Sequence, residues 1–233
     1  MASILRSGPQ PFHVVYCGPD EATPLSRDAL DGAALYGQPG GGDDLDAAWR
    51  SMRSFAPALT EWVRNGGRYV GICMGGYLAG SDPGFGLFAG DSDEYIAEPG
   101  AAVHTTGDAL VTVTWRDKPA TIYFQDGPGF TLKKGAKAQV LARYSNGGIA
   151  ALVAESGQGR VGLCGPHPEA PPSWYTDSGF VVPSPMPYPL AHDLIATTIA
   201  RQPLAGARPD RSRGEDDDHT ALRGADRARR CFT

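Results

Sequence analysis

The chain has 233 residues, of which 41% are hydrophobic and 20% charged, and its formal net charge is −5 at pH 7. This composition is typical of one folded domain rather than of a disordered chain. The negative charge argues against a protein that binds nucleic acid by neutralising phosphates, and no apolar run approaches the roughly 18 residues of a membrane-spanning helix. We therefore expect neither nucleic acid nor a membrane among the partners.

The cysteines are widely and irregularly spaced, and none of them forms a Cys-x-x-Cys pair. They are Cys17, Cys73, Cys164 and Cys231. This spacing argues against a zinc site and against a disulfide framework, and His104 and His192 have no paired ligands, so we expect no metal. The first ten residues lack the apolar stretch of a signal peptide. We expect a reduced, cytoplasmic protein in which each cysteine is either core filler or a reactive thiol.

Short apolar runs alternate with helical patterns in the first third of the chain. Residues 12–16, 33–36 and 69–72 have the composition of strands. Residues 46–55 and 58–65 have apolar side chains at helical spacing. Strands that alternate with helices across short turns are typical of parallel pairing. The pattern predicts an α/β fold whose mainly parallel sheet has helices on both faces.

The remainder of the chain is richer in strands and ends in a charged segment. Predicted strands cover 109–115, 121–124, 138–144, 149–154 and 159–164, and a final helix covers 190–201. Residues 203–233 hold seven arginines and six acidic residues with no usable period. We therefore expect one domain over 12–202, followed by a disordered charged tail over 203–233.

A glycine-flanked cysteine follows the apolar strand at 69–72. The sequence of residues 71–76 is Gly-Ile-Cys-Met-Gly-Gly, which has the spacing of a nucleophile elbow between a strand and a helix. In such a turn the glycines make room for the backbone, and the positive end of the helix favours a thiolate at Cys73. The N–H group of Met74 would then face a developing oxyanion. The alternative is a buried structural cysteine in a glycine-rich turn.

A histidine and an acidic residue follow the last predicted strand. In an extended segment residues i and i+2 face the same way, and Pro168 biases His167 toward extended geometry. His167 can thus lie against Cys73 while Glu169 orients its imidazole. Taken alone, the His-Pro-Glu sequence is equally compatible with a solvated loop, but the upstream cysteine elbow favours a Cys-His-Glu triad.

A glycine-rich loop precedes the first predicted helix. The backbone N–H groups of Gly40, Gly41 and Gly42 can face an oxyanion beside Cys73. A nucleotide-binding P-loop is rejected, because no lysine and hydroxyl pair follows. The alternative is a flexible turn before a helix that Asp43 or Asp44 caps. A further loop, at 123–130, is either a plain hairpin or a pocket wall that includes Asp126.

The order of these motifs resembles the class I glutamine amidotransferase-like superfamily and, within it, the biotin-protein ligase N-terminal domain family (BPL_N). The motifs that carry the resemblance are 15–19, 38–42, 67–77, 123–130 and 165–169, within about 12–202. The resemblance implies a flavodoxin-like three-layer sandwich with a triad of Cys73, His167 and Glu169. One strand–helix unit of that fold looks missing or compressed before the glycine loop.

These observations together predict a cysteine-nucleophile amidase or amidotransferase-like hydrolase. Cys73 would attack a carboxamide or related acyl carbon, His167 would move the proton, and Glu169 would orient His167. We expect a small-molecule substrate and no cofactor. Because the sequence shows no synthetase domain, a separate synthetase or acceptor subunit is a possible partner. The alternative function is a non-catalytic binding or regulatory module that keeps the same residues as a ligand pocket.

Overall fold

The computed structural model describes residues 1–19 and 21–204, which form helices around one large sheet. The helices are α1 (Ala2–Ser7), α2 (Arg27–Asp31), α3 (Leu45–Met52), α4 (Ala56–Arg64), α5 (Met74–Leu78), α6 (Pro172–Asp177) and α7 (Tyr188–Ile199). The strands are β1 (Tyr36–Gln38), β2 (Arg68–Ile72), β3 (Gly90–Glu94), β4 (Ala109–Trp115), β5 (Lys118–Phe124), β6 (Pro128–Leu132), β7 (Ala138–Tyr144), β8 (Ile149–Ser156) and β9 (Gly159–Cys164). Of the tail predicted over 203–233, only residues 203 and 204 are among the described residues; the rest lies outside them.

The sheet is mixed, so the expectation of a mainly parallel sheet is not confirmed. Its main path runs β1-β2-β9-β8-β7-β4-β5, and β3 pairs with β6, which joins β8. Strand β1 pairs with β2, and β2 with β9, in parallel; every other pairing among the described strands is antiparallel. The parallel part is confined to the three strands at one edge.

Short connections explain two of the antiparallel pairings. Strands β4 and β5 are joined by Arg116 and Asp117, both at positive φ (44° and 66°), and β8 and β9 by Gly157 and Gln158. A parallel crossover needs a dozen or more residues, whereas two residues suffice for a hairpin. The pairs β4–β5 and β8–β9 therefore had to be antiparallel.

The core has two main clusters, one on each face of the sheet. On β8, Ala151 and Val153 join one cluster while Leu152 and Ala154 join the other, as the alternation of a strand requires. Helices α1 and α7 cover the first face, and α2, α3 and α4 pack on the second. The parallel strands thus lie between two helical layers, which agrees with the predicted α/β class.

Several predicted elements differ from the observed ones. Residues 12–16 form no strand: Val15 is 59% exposed, and the run lies alongside the sheet without pairing. Strands β3 and β6 were not predicted, because neither has a regular apolar alternation. The core also starts earlier than residue 12, since Ile4 and Leu5 of α1 are buried. Within the described part of the chain, no helix combines the length and the apolar character needed to cross a membrane.

Candidate active site

Cys73 lies in a strained turn between β2 and α5. Its backbone has φ 51° and ψ −111°, a conformation that side-chain-bearing residues rarely adopt. The flanking glycines permit this turn: a Cβ at Gly71 would lie 2.2 Å from the Gly75 carbonyl oxygen, and one at Gly75 would lie 2.1 Å from that of Gln38. The structure therefore has the strand–turn–helix geometry that the sequence of the elbow predicts.

The helix that follows the elbow is short. Helix α5 has five residues, Met74–Leu78, which is little more than one turn. Its dipole therefore adds little positive potential at Cys73. The thiol instead lies 3.5 Å from the backbone oxygen of Gln125, which accepts its hydrogen bond.

The His-Pro-Glu segment brings His167 and Glu169 together as the i, i+2 spacing predicts. Imidazole Nδ1 lies 3.1 Å from Glu169 Oε1, and both side chains are almost fully buried. A backbone hydrogen bond of 2.8 Å from the His167 N–H to the Tyr123 carbonyl fixes the segment against β5. The other ring nitrogen, Nε2, is buried and has no hydrogen-bond partner among the described residues.

The charges around His167 favour its protonated form. Burial alone would lower the pKa of this imidazole, but the negative charges of Glu169 and of Cys73 outweigh it and raise the pKa from 6.5 to about 10. The arrangement therefore places a protonated imidazole beside Cys73, where it can move a proton.

The glycine loop passes directly over Cys73 and His167. A Cβ added at Gly40 would lie 2.6 Å from His167 Cε1 and 3.0 Å from Cys73 Cβ, so no side chain fits there. Gly41 and Gly42 adopt positive φ values of 147° and 73°. Asp44, rather than Asp43, caps α3 by accepting a hydrogen bond from the Ala47 N–H at 2.8 Å.

Backbone donors are available near the sulfur. The N–H groups of Met74 and Gly42 make no hydrogen bond within the described part of the chain, and both residues line the cavity that contains Cys73. Unpaired N–H groups at the turn after a nucleophile are the donors that stabilise an oxyanion in acyl transfer. The structure thus brings the predicted oxyanion residues and the predicted triad to one place.

Aromatic side chains cover the histidine. The ring of Trp174, in α6, lies 5.2 Å from the imidazole at 72°, and the Tyr123 ring lies 6.3 Å away. Tyr175 is fully buried behind them, whereas Trp174 is 38% exposed. Trp174 thus forms the boundary between the imidazole and solvent, and this apolar cover is one cause of the burial of His167.

Cys73 opens into a cavity of about 380 Å³ whose wall is acidic. Its acidic lining residues are Asp43, Asp82, Asp93, Glu94 and Asp126. Gln125 and Asp126 line the cavity, so the loop at 123–130 forms part of a pocket wall. Sequence analysis missed most of this wall, because its members are far apart in the chain; the only local signal is the Asp-Ser-Asp-Glu run at 91–94.

Two of these carboxyl groups have raised pKa values. Burial first, and then the neighbouring charges of Asp126 and Asp93, raise the pKa of Glu94. Burial and the charge of Asp43 raise the pKa of Asp126. Tyr77, whose hydroxyl donates to the Asp126 carbonyl at 3.0 Å, also has a raised pKa, for which burial is the largest cause. The carboxylates of the wall therefore repel one another, and no cationic side chain in the described lining offsets their charge.

The other described cysteines do not line the cavity. Cys164 is fully buried on β9, where burial raises the pKa of its thiol, and its carbonyl accepts a hydrogen bond from the Cys73 N–H at 2.9 Å. Cys17 is half-buried and packs on the second core cluster. Within the described ranges, no three histidine, cysteine or acidic side chains are close enough to hold a metal ion.

The fold is that of glutamine amidotransferase-like proteins. A solved glutamine amidotransferase aligns with a TM-score of 0.53 at 16% identity, covering 75% of this chain and 84% of that chain. A glutamine amidotransferase from Thermotoga maritima aligns with a TM-score of 0.50 at 11% identity, covering 73% and 80% respectively. At these identities the likeness concerns the fold alone.

The family resemblance is supported by sequence as well. Residues 30–93 match the family described as biotin-protein ligase, N terminal, and this stretch includes the glycine loop and Cys73 but neither His167 nor Glu169. Comparison with curated protein sequences gives no match. The resemblance inferred from the motifs is thus confirmed, with the family match confined to the first half of the chain.

Proposed function

We propose that the protein is a cysteine-nucleophile hydrolase that cleaves a carboxamide or related acyl substrate at Cys73. The observation that carries this proposal is the buried His167 imidazole, held at 3.1 Å by Glu169 and located beside the strained Cys73. A thiol, a base and an acidic group in this order form a generalised triad. The glutamine amidotransferase-like fold is compatible with this chemistry.

The reaction would proceed through a thioester. The Cys73 thiolate attacks the carbonyl carbon, and the N–H groups of Met74 and of the loop at Gly40–Gly42 stabilise the oxyanion. The His167 imidazolium gives its proton to the leaving nitrogen as the C–N bond breaks. Neutral His167 then takes a proton from water, which attacks the thioester and releases the carboxylic acid and the Cys73 thiol. Glu169 acts as a positioning residue for His167 throughout.

The amine or ammonia that leaves has two possible fates. In the simpler case it is released to solvent, and the protein is a hydrolase. In the other case a separate synthetase or acceptor subunit, the possible partner named from the sequence, receives it. Both cases require the same first half-reaction at Cys73.

The test is acylation of Cys73 by a small neutral reagent. We expect para-nitrophenyl acetate to acetylate Cys73 in the intact protein, with the adduct mapped by peptide mass spectrometry. Cys73→Ala should abolish the adduct at this position, and His167→Ala should slow its formation by about a hundredfold, the size of a usual general acid–base contribution. Cys17→Ala makes the same side-chain change outside the cavity and should leave the rate unchanged.

A specific observation favours a second function, that of a ligand-binding module. The cavity wall carries five acidic side chains, and the Cys73 thiol donates to a backbone oxygen in this structure. If wild-type Cys73 is not acetylated faster than Cys17, while a ligand binds the cavity equally well in wild type and Cys73→Ala, the binding module replaces the hydrolase.

A further inference from the structure

The cavity beside Cys73 is lined by acidic groups from four separate segments. Asp43 follows the glycine loop, Asp82 follows α5, Asp93 and Glu94 end β3, and Asp126 follows β5. No lysine, arginine or histidine lies among the described residues that line the cavity. The wall is therefore negative on more than one side, and the N–H groups of Met74 and Gly42 beside Cys73 are the donors in its lining that face a developing negative charge.

These carboxylates have few partners in the described structure: Asp93 Oδ1 accepts a hydrogen bond from the Glu94 N–H at 2.9 Å. None of the five takes part in a salt bridge within residues 1–19 and 21–204. One oxygen of Asp126, Oδ1, is buried and has no partner among those residues. A buried carboxylate oxygen without a partner carries a free-energy cost, which a donor on a ligand would relieve.

An independent feature marks the same cavity as a ligand site. Cys73 lines it, and the adjacent His167 is 2% exposed yet has an Nε2 without a hydrogen-bond partner among the described residues. A buried, unpaired imidazole nitrogen beside a strained cysteine fits a group that completes its bonding only with substrate. The acyl carbon would thus lie at Cys73, with the rest of the substrate against the acidic wall.

The arrangement of the wall suits an organic cation better than a metal ion or a zwitterion. No three of the described acidic side chains converge tightly enough to hold a metal, so their charge is spread over a surface. A free amino-acid amide such as glutamine carries a carboxylate, which would meet repulsion and no cationic partner here. A volume of about 380 Å³ accommodates a small organic molecule.

We propose that the substrate is an amide whose far end carries an ammonium or guanidinium group and no free carboxylate. The inference rests on the proposed function of Cys73, and it names the substrate class of that site. Glu94 and Asp126 bind the cationic end, and Tyr77 supports Asp126 through the hydrogen bond from its hydroxyl to the Asp126 carbonyl. The cation supplies the positive charge that the described lining lacks.

Binding to a Cys73→Ala variant tests the charge preference without any reaction. The probes are three amides of similar length: delta-aminovaleramide, which is cationic, valeramide, which is neutral, and glutaramate, which is anionic. By calorimetry we expect the cationic amide to bind about tenfold to a hundredfold more tightly than the neutral one, and the anionic one most weakly. Added salt should reduce this preference.

Matched variants assign the preference to the wall. Glu94→Gln and Asp126→Asn, in the Cys73→Ala background, should each lower the affinity for the cationic amide about tenfold and leave that for valeramide unchanged. Asparagine is chosen because it tolerates the positive φ of Asp126. Glu61→Gln, on the surface of α4 and outside the cavity, is the control and should change neither affinity.

The outcomes separate this inference from the proposed function. Equal affinities for the three amides, tighter binding of glutaramate or no measurable binding would overturn the cationic substrate class, even if para-nitrophenyl acetate modifies Cys73. Conversely, selective binding of the cationic amide that depends on Glu94, together with a Cys73 that no acyl reagent modifies, would support the cation site and refute the hydrolase.

Discussion

Replacing Glu169 by glutamine should remove the pH dependence that His167 gives to the stability of the folded protein. The Glu169 carboxylate lies 3.1 Å from His167 Nδ1. Burial lowers the pKa of the imidazole, and the charge of Glu169 is the largest influence that raises it. Glutamine keeps the size of the side chain and one acceptor oxygen but carries no charge. Burial then dominates, and we expect the pKa of His167 to fall toward its ordinary value or below it.

The structure gives the size and the sign of the effect. A tenfold change in proton affinity is worth about 1.4 kcal/mol, so a pKa raised from 6.5 to about 10 stabilises the folded state by up to about 5 kcal/mol. The folded state holds this proton more tightly than the unfolded chain does. The stabilisation is therefore complete below pH 6.5 and is lost as the pH rises through 10.

Urea denaturation at a series of pH values measures this effect. Between pH 6.5 and 10 the unfolding free energy of the wild type should fall by several kcal/mol, whereas that of Glu169→Gln should fall much less. Glu61→Gln, the same change at an exposed position, should retain the wild-type slope. Parallel curves for the wild type and Glu169→Gln would refute the reasoning. So would an NMR titration in which wild-type His167 loses its proton at or below pH 6.5, and that measurement needs no variant.

Two further predictions concern the backbone that holds the site. Gly75→Ala places a Cβ 2.1 Å from the Gln38 carbonyl oxygen, so we expect the unfolding free energy measured in urea to fall by about 1–3 kcal/mol. Gly32→Ala is the control and should be tolerated, because Gly32 has open space around it; equal stabilities of the two variants would contradict the close packing of the elbow. Asp44→Ala removes the side chain that caps α3 by accepting a hydrogen bond from the Ala47 N–H, and it should lower the unfolding free energy by about 1 kcal/mol. Asp44→Asn keeps a capping oxygen and should retain most of the wild-type stability. An alanine variant as stable as the wild type would argue against the cap.

The predictable part of the fold is the part whose signals are local. Strands β4, β7 and β9 have the boundaries that the sequence predicts, because apolar runs and turn residues define them without reference to the rest of the chain. The run at 12–16 is just as apolar, yet it forms no strand, since pairing depends on a neighbouring strand edge that the sequence cannot specify. Strand β3 shows the opposite case: its acidic residues disfavour a strand, and it forms because β6 pairs with it.

The same distinction applies to the site. The i, i+2 spacing of His167 and Glu169 and the glycines around Cys73 are local features, and the structure gives them the predicted geometry. The acidic wall is a tertiary feature, since residues as distant as Asp43 and Asp126 meet only when the sheet has formed.

The acidic wall and the nucleophile are in tension, and this tension relates the two proposals. Carboxylates near Cys73 repel the negative charge that would develop on an acyl oxygen there, and the His167 imidazolium is the described cationic group that opposes them at the site. A cationic ligand would neutralise the wall and so reduce this repulsion. Substrate binding would then also favour the acylation step. An anionic or neutral amide would fill the cavity without this gain, so the wall would select substrates through the nucleophile as well as through direct contact.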